Sequence, residues 1–227
     1  MIVEPYHRIA PDLRRGGLAD EVAAYVRDLI LTGALHPGVK INQDAVGEAV
    51  GVSRSPIREA LVVLGQEGLV DVTPRRGAFV ARLTPGDIID HYELYGIVSG
   101  RAAAIAADAL KDEDLEQLES IHARFRVGTD EDLSALNDEF HRLINTAAPR
   151  RTRWLLRHLV RSVPTAYYEF AGGWDAHAVE DHRGILEALL DHDAEAARLA
   201  MEAHLHDSGV AAVESLTARG FWEDQPE

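Results

Sequence analysis

The segment Asn42–Leu69, NQDAVGEAVGVSRSPIREALVVLGQEGL, decides how the rest of the chain is read. Ala45, Val46, Ala49 and Val50 recur at the spacing of one helix face. Gly51 ends that helix, because glycine reaches left-handed backbone angles at no steric cost. Ser53 is placed to cap a second helix, and Pro56 falls in its first turn, where a missing N–H does no harm. Ile57, Ala60, Leu61 and Leu64 give this second helix its apolar face and leave Arg54, Ser55 and Arg58 on the outward side near its N-terminus. Such a pair is a helix-turn-helix, whose second helix enters the major groove N-terminus first.

A plain helical hairpin with solvated arginines would share this pattern, but the residues downstream argue against it. Leu69–Val72 and Ala78–Ala81 are short β-rich runs flanking Thr73-Pro74-Arg75-Arg76-Gly77. They predict a β-hairpin with a basic, glycine-bearing tip. A recognition helix followed by such a hairpin is a winged helix, with Arg75 and Arg76 where a wing meets phosphates or the minor groove. Upstream, Val22, Val26, Leu29 and Ile30 mark the buried stripe of a helix over Leu18–Gly33, and Pro37-Gly38 marks a turn.

Formal net charge is −15, which at first sight opposes nucleic-acid binding. Its distribution removes the objection. Residues 1–85 carry ten Lys/Arg and ten Asp/Glu, whereas residues 86–227 carry thirteen against twenty-eight and so hold the whole deficit. The acidic part is a separate body, and phosphate contacts from the head make affinity fall steeply with salt. There are no cysteines, which excludes disulfides and thiolate metal sites. No apolar run approaches the roughly 20 residues that span a bilayer. Met1–Gly17 lacks the apolar stretch of a signal peptide, so a cytoplasmic protein with no membrane partner is expected.

The domain boundary is predicted near Leu83-Thr84-Pro85, where Thr84 is a plausible N-cap, Pro85 a first-turn residue and Asp87 an early acid. Helices are predicted at about 85–109, 112–126, 130–147, 150–170, 176–191 and 194–216 from apolar periodicity and acidic punctuation. The fold class is therefore mainly α, a winged helix-turn-helix domain plus an all-α six-helix bundle. The predicted organisation is a flexible arm at 1–17, the DNA-binding domain at 18–83, a helical effector-binding and dimerisation domain at 84–218, and a tail at 219–227.

Within the bundle, His141 follows Asn137 by one helical turn, with Asp138 displaced by one position. His182 and His204 are equidistant from the Asp191-His192-Asp193 turn, so an antiparallel hairpin opposes them at one height. Asn137, His141, His182 and His204 make a three-nitrogen, one-oxygen set, a known way to build a metal site in a bundle. Imidazole-rich ligation suits Zn or Ni. The other reading is satisfied core or surface histidines, and His158, His177, His192 and His206 are read that way.

Two resemblances add to these readings. Leu18–Arg82 resembles the DNA-binding domain of the GntR family of bacterial transcriptional regulators, through LILTGALHPGVKI, GVSRSPIREAL, EGLV and RRGAFV. It implies that Ser53, Arg54, Ser55, Pro56 and Arg58 lie at operator DNA, with Arg75, Arg76 and Gly77 at the wing tip. The family often has a basic residue early in the first helix of the motif, where this chain has Gln43 and Asp44. From Thr84 the chain resembles the effector domain of the FadR subfamily, the FCD domain, and its count of six helices resembles the VanR-like branch. The motifs are Asn137-x-x-Phe140-His141, Asp181-His182-Arg183-x-Ile185-Leu186-x-Ala188 and the run from Asp193 to Leu205.

The FCD resemblance implies a divalent metal on Asn137, His141, His182 and His204, with a small carboxylate effector beside it. The more usual oxygen ligand is aspartate, which leaves Asn137 and Asp138 both open. Relatives place an arginine in an LYxVR run, whereas this chain reads Leu94-Tyr95-Gly96-Ile97-Val98, and Arg101 one turn later is the substitute for effector binding. The expected function is a homodimeric, ligand-responsive repressor or activator acting on operator DNA. A regulator sensing metal alone is the nearest alternative. A metal-dependent hydrolase is the other, disfavoured by the winged helix and by the lack of a second acid/base pair; no catalytic residue is assigned.

Overall fold

A computed structural model describes residues 17–127, 133–162, 174–218 and 220–222. Most of the predicted arm and tail, and the end of the predicted 150–170 helix, lie outside these residues. The chain divides into two compact units with the break between Thr84 and Pro85.

The first unit holds helices α1 (Leu18–Leu31), α2 (Gln43–Val50) and α3 (Arg54–Gln66), then strands β1 (Val70–Thr73) and β2 (Gly77–Val80). α1 buries Val22, Val26, Leu29 and Ile30, the stripe read from sequence, together with Tyr25. It stops two residues short of the predicted end, because Thr32 leaves the helix and Gly33 takes φ +72°. α2 is capped by Asn42, whose side-chain oxygen accepts from the amides of Asp44 and Ala45 at 3.1 and 3.2 Å. Gly51 closes it in the left-handed region at φ 70°. Ser53 occupies the N-cap position of α3, but its hydroxyl makes no capping hydrogen bond, contrary to the sequence reading. Ile57, Ala60, Leu61 and Leu64 turn inward against α1.

The strands pair antiparallel with Val70 opposite Val80 and Thr73 opposite Gly77. Lys40 adds a single bridge to Phe79 on the other side of β2. Arg27 on α1 reaches Glu67 at the end of α3 with contacts of 2.7 to 3.1 Å, and the Glu67 side chain is 6% exposed.

The second unit consists of α4 (Pro85–Ala109), α5 (Asp112–Val127), α6 (Leu133–Thr146), α7 (Arg150–Ser162), α8 (Trp174–Leu190) and α9 (Ala194–Ala218). Among the described residues this is six helices. α4 buries Ile88, Tyr92, Tyr95, Ser99, Ala102, Ala103 and Ala106. It meets α9 at glycines. A Cβ on Gly100 would stand 2.9 Å from the Arg198 carbonyl oxygen, and one on Gly209 would stand 2.8 Å from the Tyr92 Cβ. α5 packs on both α6 and α8, which closes the bundle around Phe125, Phe140, Ile144, Ile185 and Leu189. His192 makes the turn between α8 and α9 in the left-handed region, φ 53°, and its Nδ1 lies 2.7 Å from the Ala107 carbonyl oxygen.

Candidate functional site

The first unit presents an open groove of about 900 Å³ between α3 and the β-hairpin. Lys40, Arg54, Arg58, Arg75 and Arg76 line it, with Asp44 as its one carboxylate among the described residues. The groove exists because α3 turns its apolar face to α1 and so leaves its N-terminal polar residues outward. Arg54, Ser55 and Arg58 are exposed, and Pro56 is half-buried. Arg54 is already engaged: its Nε and Nη2 donate to the Asp44 carboxylate at 2.9 and 3.0 Å. The Ser55 hydroxyl reaches Glu59, one turn on, at 3.3 Å.

At the hairpin tip the Arg76 amide donates to the Thr73 carbonyl at 3.1 Å, a tight turn with Pro74 second and Arg75 third. That turn forces Arg75 to φ 64°, a conformation side chains resist. Gly77 has a backbone reason of its own: it sits at φ 109°, and a Cβ there would stand 2.9 Å from Lys40 Cε. Lys40 is the groove cation that sequence reasoning missed, since nothing in PGVKI marks it as facing the wing.

In the second unit, His141 on α6, His182 on α8 and His204 on α9 converge. One nitrogen from each lies within 4.8 Å of the others, and all three side chains are buried. His141 and His204 Nε2 atoms are 3.3 Å apart. Ring centroids of His182 and His204 are 4.8 Å apart across the α8–α9 hairpin. His182 stacks on Phe140 at 4.5 Å and meets the edge of Phe125 at 5.0 Å, so its ring is held from two sides. Both of its nitrogens are buried with no hydrogen-bond partner among the described residues.

Burial, and secondarily the charge of His204, push His141 down to about 3. Burial first, then His204, His141 and His122, drives His182 well below the ordinary histidine range. All of this keeps lone pairs free at neutral pH, as a metal ligand requires.

The donor set fits a divalent cation. Tetrahedral Zn–N bonds of about 2.0–2.1 Å put neighbouring nitrogens about 3.3–3.4 Å apart, the separation found between His141 and His204. A shared N–H···N hydrogen bond would also satisfy that pair. It would leave His182 with two orphaned nitrogens in an apolar cage, which a cation resolves at one of them. Asn137 is half-buried one turn before His141, while Asp138 is exposed and outside the convergent group.

Arg101 is exposed on α4, and the structure does not bring it into the buried cluster. Ser99, on the buried row of α4, has a hydroxyl with no hydrogen-bond partner among the described residues, and sequence reasoning passed over it. His122 on α5, also buried, was likewise passed over; it is close enough for its charge to act on His182. The histidines read as bystanders stand apart from the cluster where described. His206 lies 3.6 Å from Glu93, and His158 packs on Trp154. The His177 side chain lies outside the described residues.

Comparison with known proteins agrees with this architecture. Residues 18–80 match the model for bacterial regulatory proteins of the gntR family, and residues 90–207 match the FCD domain. An HTH-type transcriptional regulator in an unstable DNA locus of Streptomyces ambofaciens is 31% identical over 79% of this chain and 78% of its own length. An HTH-type regulator of Mycobacterium tuberculosis is 38% identical, over 47% of this chain and 44% of its own length. The solved structure of E. coli McbR/YncC superposes with a TM-score of 0.63 at 22% identity, covering 89% of this chain and all of that one. The chain belongs to the GntR family and carries the FCD type of C-terminal domain. Among the described residues no helix is long and apolar enough to cross a membrane.

Proposed function

We propose that this protein is a DNA-binding transcriptional regulator whose α3 enters the major groove of operator DNA, with the β1–β2 hairpin against the adjacent backbone. The observation that carries this reading is the groove itself: five cations gather on one face of a chain of net charge −15. Arg54 and Arg58 supply contacts from the helix, Arg75 and Arg76 from the wing, and Lys40 from between them. A homodimer reading a palindromic operator is the corresponding assembly, since two-fold protein symmetry matches two half-sites. The test is a mobility-shift titration on duplexes selected by the protein from a random pool. Arg54→Ala or Arg58→Ala should weaken binding at least about tenfold with the fold intact. Unchanged binding by both refutes the assigned helix.

The same reading places a divalent metal, Zn or Ni first, on His141, His182 and His204, with Asn137 as the oxygen donor next in line. The metal supplies a Lewis-acid anchor when bound. Burial keeps His141 and His182 neutral, and Phe125 and Phe140 pack on the His182 ring. A small carboxylate is the effector such an anchor suits; Arg101, being exposed, is set aside for this role. Elemental analysis after dialysis checks the site: His182→Ala should lose the metal that the parent retains, and equal content in both removes it.

A further inference from the structure

Asp44 is, among the described residues, the one carboxylate in a groove lined otherwise by five cations. A carboxylate facing phosphates works against affinity, so its presence there needs a physical reason. Folding does not supply one. The Asp44 and Arg54 side chains are 68% and 66% exposed, and exposed ion pairs contribute little to stability. The geometry of the pair supplies a better reason. Asp44 takes Arg54 side-on, through Nε and Nη2. That leaves the other edge of the guanidinium, Nη1 and the second Nη2 proton, unused by the pair. This free edge is the fork that donates to O6 and N7 of a guanine in the major groove.

We propose that Asp44 is a specificity-determining positioning residue, holding Arg54 side-on so that its free edge reads a guanine in each operator half-site. The inference rests on α3 being the recognition helix. Two effects arise from one carboxylate. Arg54 is fixed before docking, so less rotamer freedom is lost on binding the right base. Over an A·T pair the purine offers an amino donor in place of O6, and the fork has no second acceptor. Arg54 must then swing toward a phosphate and abandon Asp44, whose carboxylate is left unpaired against the negative backbone. The wrong sequence is thus penalised as well as the right one rewarded. Asp44 sits where it can do this because Asn42 caps α2, which fixes the first turn of that helix beside the start of α3.

The experiment is parallel selection of duplexes from a pool with a randomised core, using the full-length parent, Asp44→Ala, Arg54→Lys, Arg54→Ala and Arg58→Ala. The parent should enrich a guanine at one position of each half-site. Asp44→Ala should keep or raise its affinity for bulk duplex while its preference for that guanine drops by about tenfold. Arg54→Lys keeps the charge but lacks the fork, and should lose the same preference. An Asp44→Ala protein that enriches that guanine as strongly as the parent overturns the inference, as does an Arg54→Lys protein that does so. If Arg54→Ala and Arg58→Ala both bind the parent's selected duplexes undiminished, the recognition helix itself has been misassigned. If they lose binding while Asp44→Ala keeps the preference, only the role of Asp44 fails. Thermal melting of Asp44→Ala should match the parent, since the residue is exposed.

Discussion

His141 and His204 face each other with their Nε2 atoms 3.3 Å apart, from helices α6 and α9, in a part of the bundle that excludes water. With His182 beside them, this concentrates ionisable groups where ionisation is unfavourable. The consequence is an acid-sensitive fold. In an unfolded chain these histidines titrate near 6.5, whereas His141 in the fold is pushed to about 3 and His182 well below its ordinary range. Below pH about 6.5 the unfolded state therefore binds more protons than the folded state. Stability is full above that pH and declines as pH falls through it, by up to about 1.4 kcal/mol per pH unit for each histidine. Urea unfolding of the metal-free chain, followed by helical circular dichroism at pH 7.5 and 5, measures this. Identical midpoints at the two pH values would contradict the burial of neutral imidazoles.

Glu67 is expected to matter to stability more than its surface-type chemistry suggests. Its carboxylate is 6% exposed and accepts two guanidinium nitrogens of Arg27, so removing it strands a cation at the junction of α1 and α3. Because the Arg27 side chain keeps 25% exposure, the loss falls below that of a fully buried pair, at about 2 kcal/mol for Glu67→Ala. Denaturant unfolding reports it, and a loss under about 0.5 kcal/mol means the pair behaves as an exposed one.

The wing tip separates strain from binding. Arg75 sits at φ 64°, which glycine adopts freely. Arg75→Gly should leave stability unchanged or raise it by up to about 1 kcal/mol, while Arg75→Ala gains nothing because it retains a Cβ. Both should weaken operator binding and reduce its salt slope by about one unit. A salt slope equal to the parent's in both variants would show that the tip does not touch the backbone.

Ser99→Ala removes a buried hydroxyl that has no partner among the described residues. Such a deletion relieves a desolvation cost, so a rise in unfolding free energy of about 1 kcal/mol is expected. Loss of stability instead would mean the hydroxyl has a partner in solution.

Much of this was legible in the sequence where periodicity carries the information. The stripes Val22-Val26-Leu29-Ile30 and Ile57-Ala60-Leu61-Leu64 are buried as spaced, because an amphipathic helix has one way to hide such a face. The opposition of His182 and His204 was legible for a related reason, since a short turn makes equal distances along two helices equal heights in space. Contacts between residues far apart in the chain were not. Arg27 and Glu67 are forty positions apart, and Lys40 meets the wing by a strand bridge to Phe79 and a side chain lying against Gly77. His122 and Phe125 come beside His182 only through the packing of α5 on α8, so their place there had no local signal. Ser53 shows the opposite error: its residue type promised a capping hydrogen bond that the backbone amides do not receive from it.

The glycine contact between α4 and α9 has a reach beyond packing. Gly100 lies against the Arg198 carbonyl oxygen and the Glu202 side chain, on the stretch of α9 that leads directly to His204. A methyl group at position 100 cannot be accommodated there without shifting α9, because backbone atoms have no rotamer to yield. His204 would travel with its helix, and the spacing of imidazole nitrogens would change without any ligand being touched. The spacing of the three imidazoles is thus adjustable from a position outside their cluster, by the width of one missing side chain.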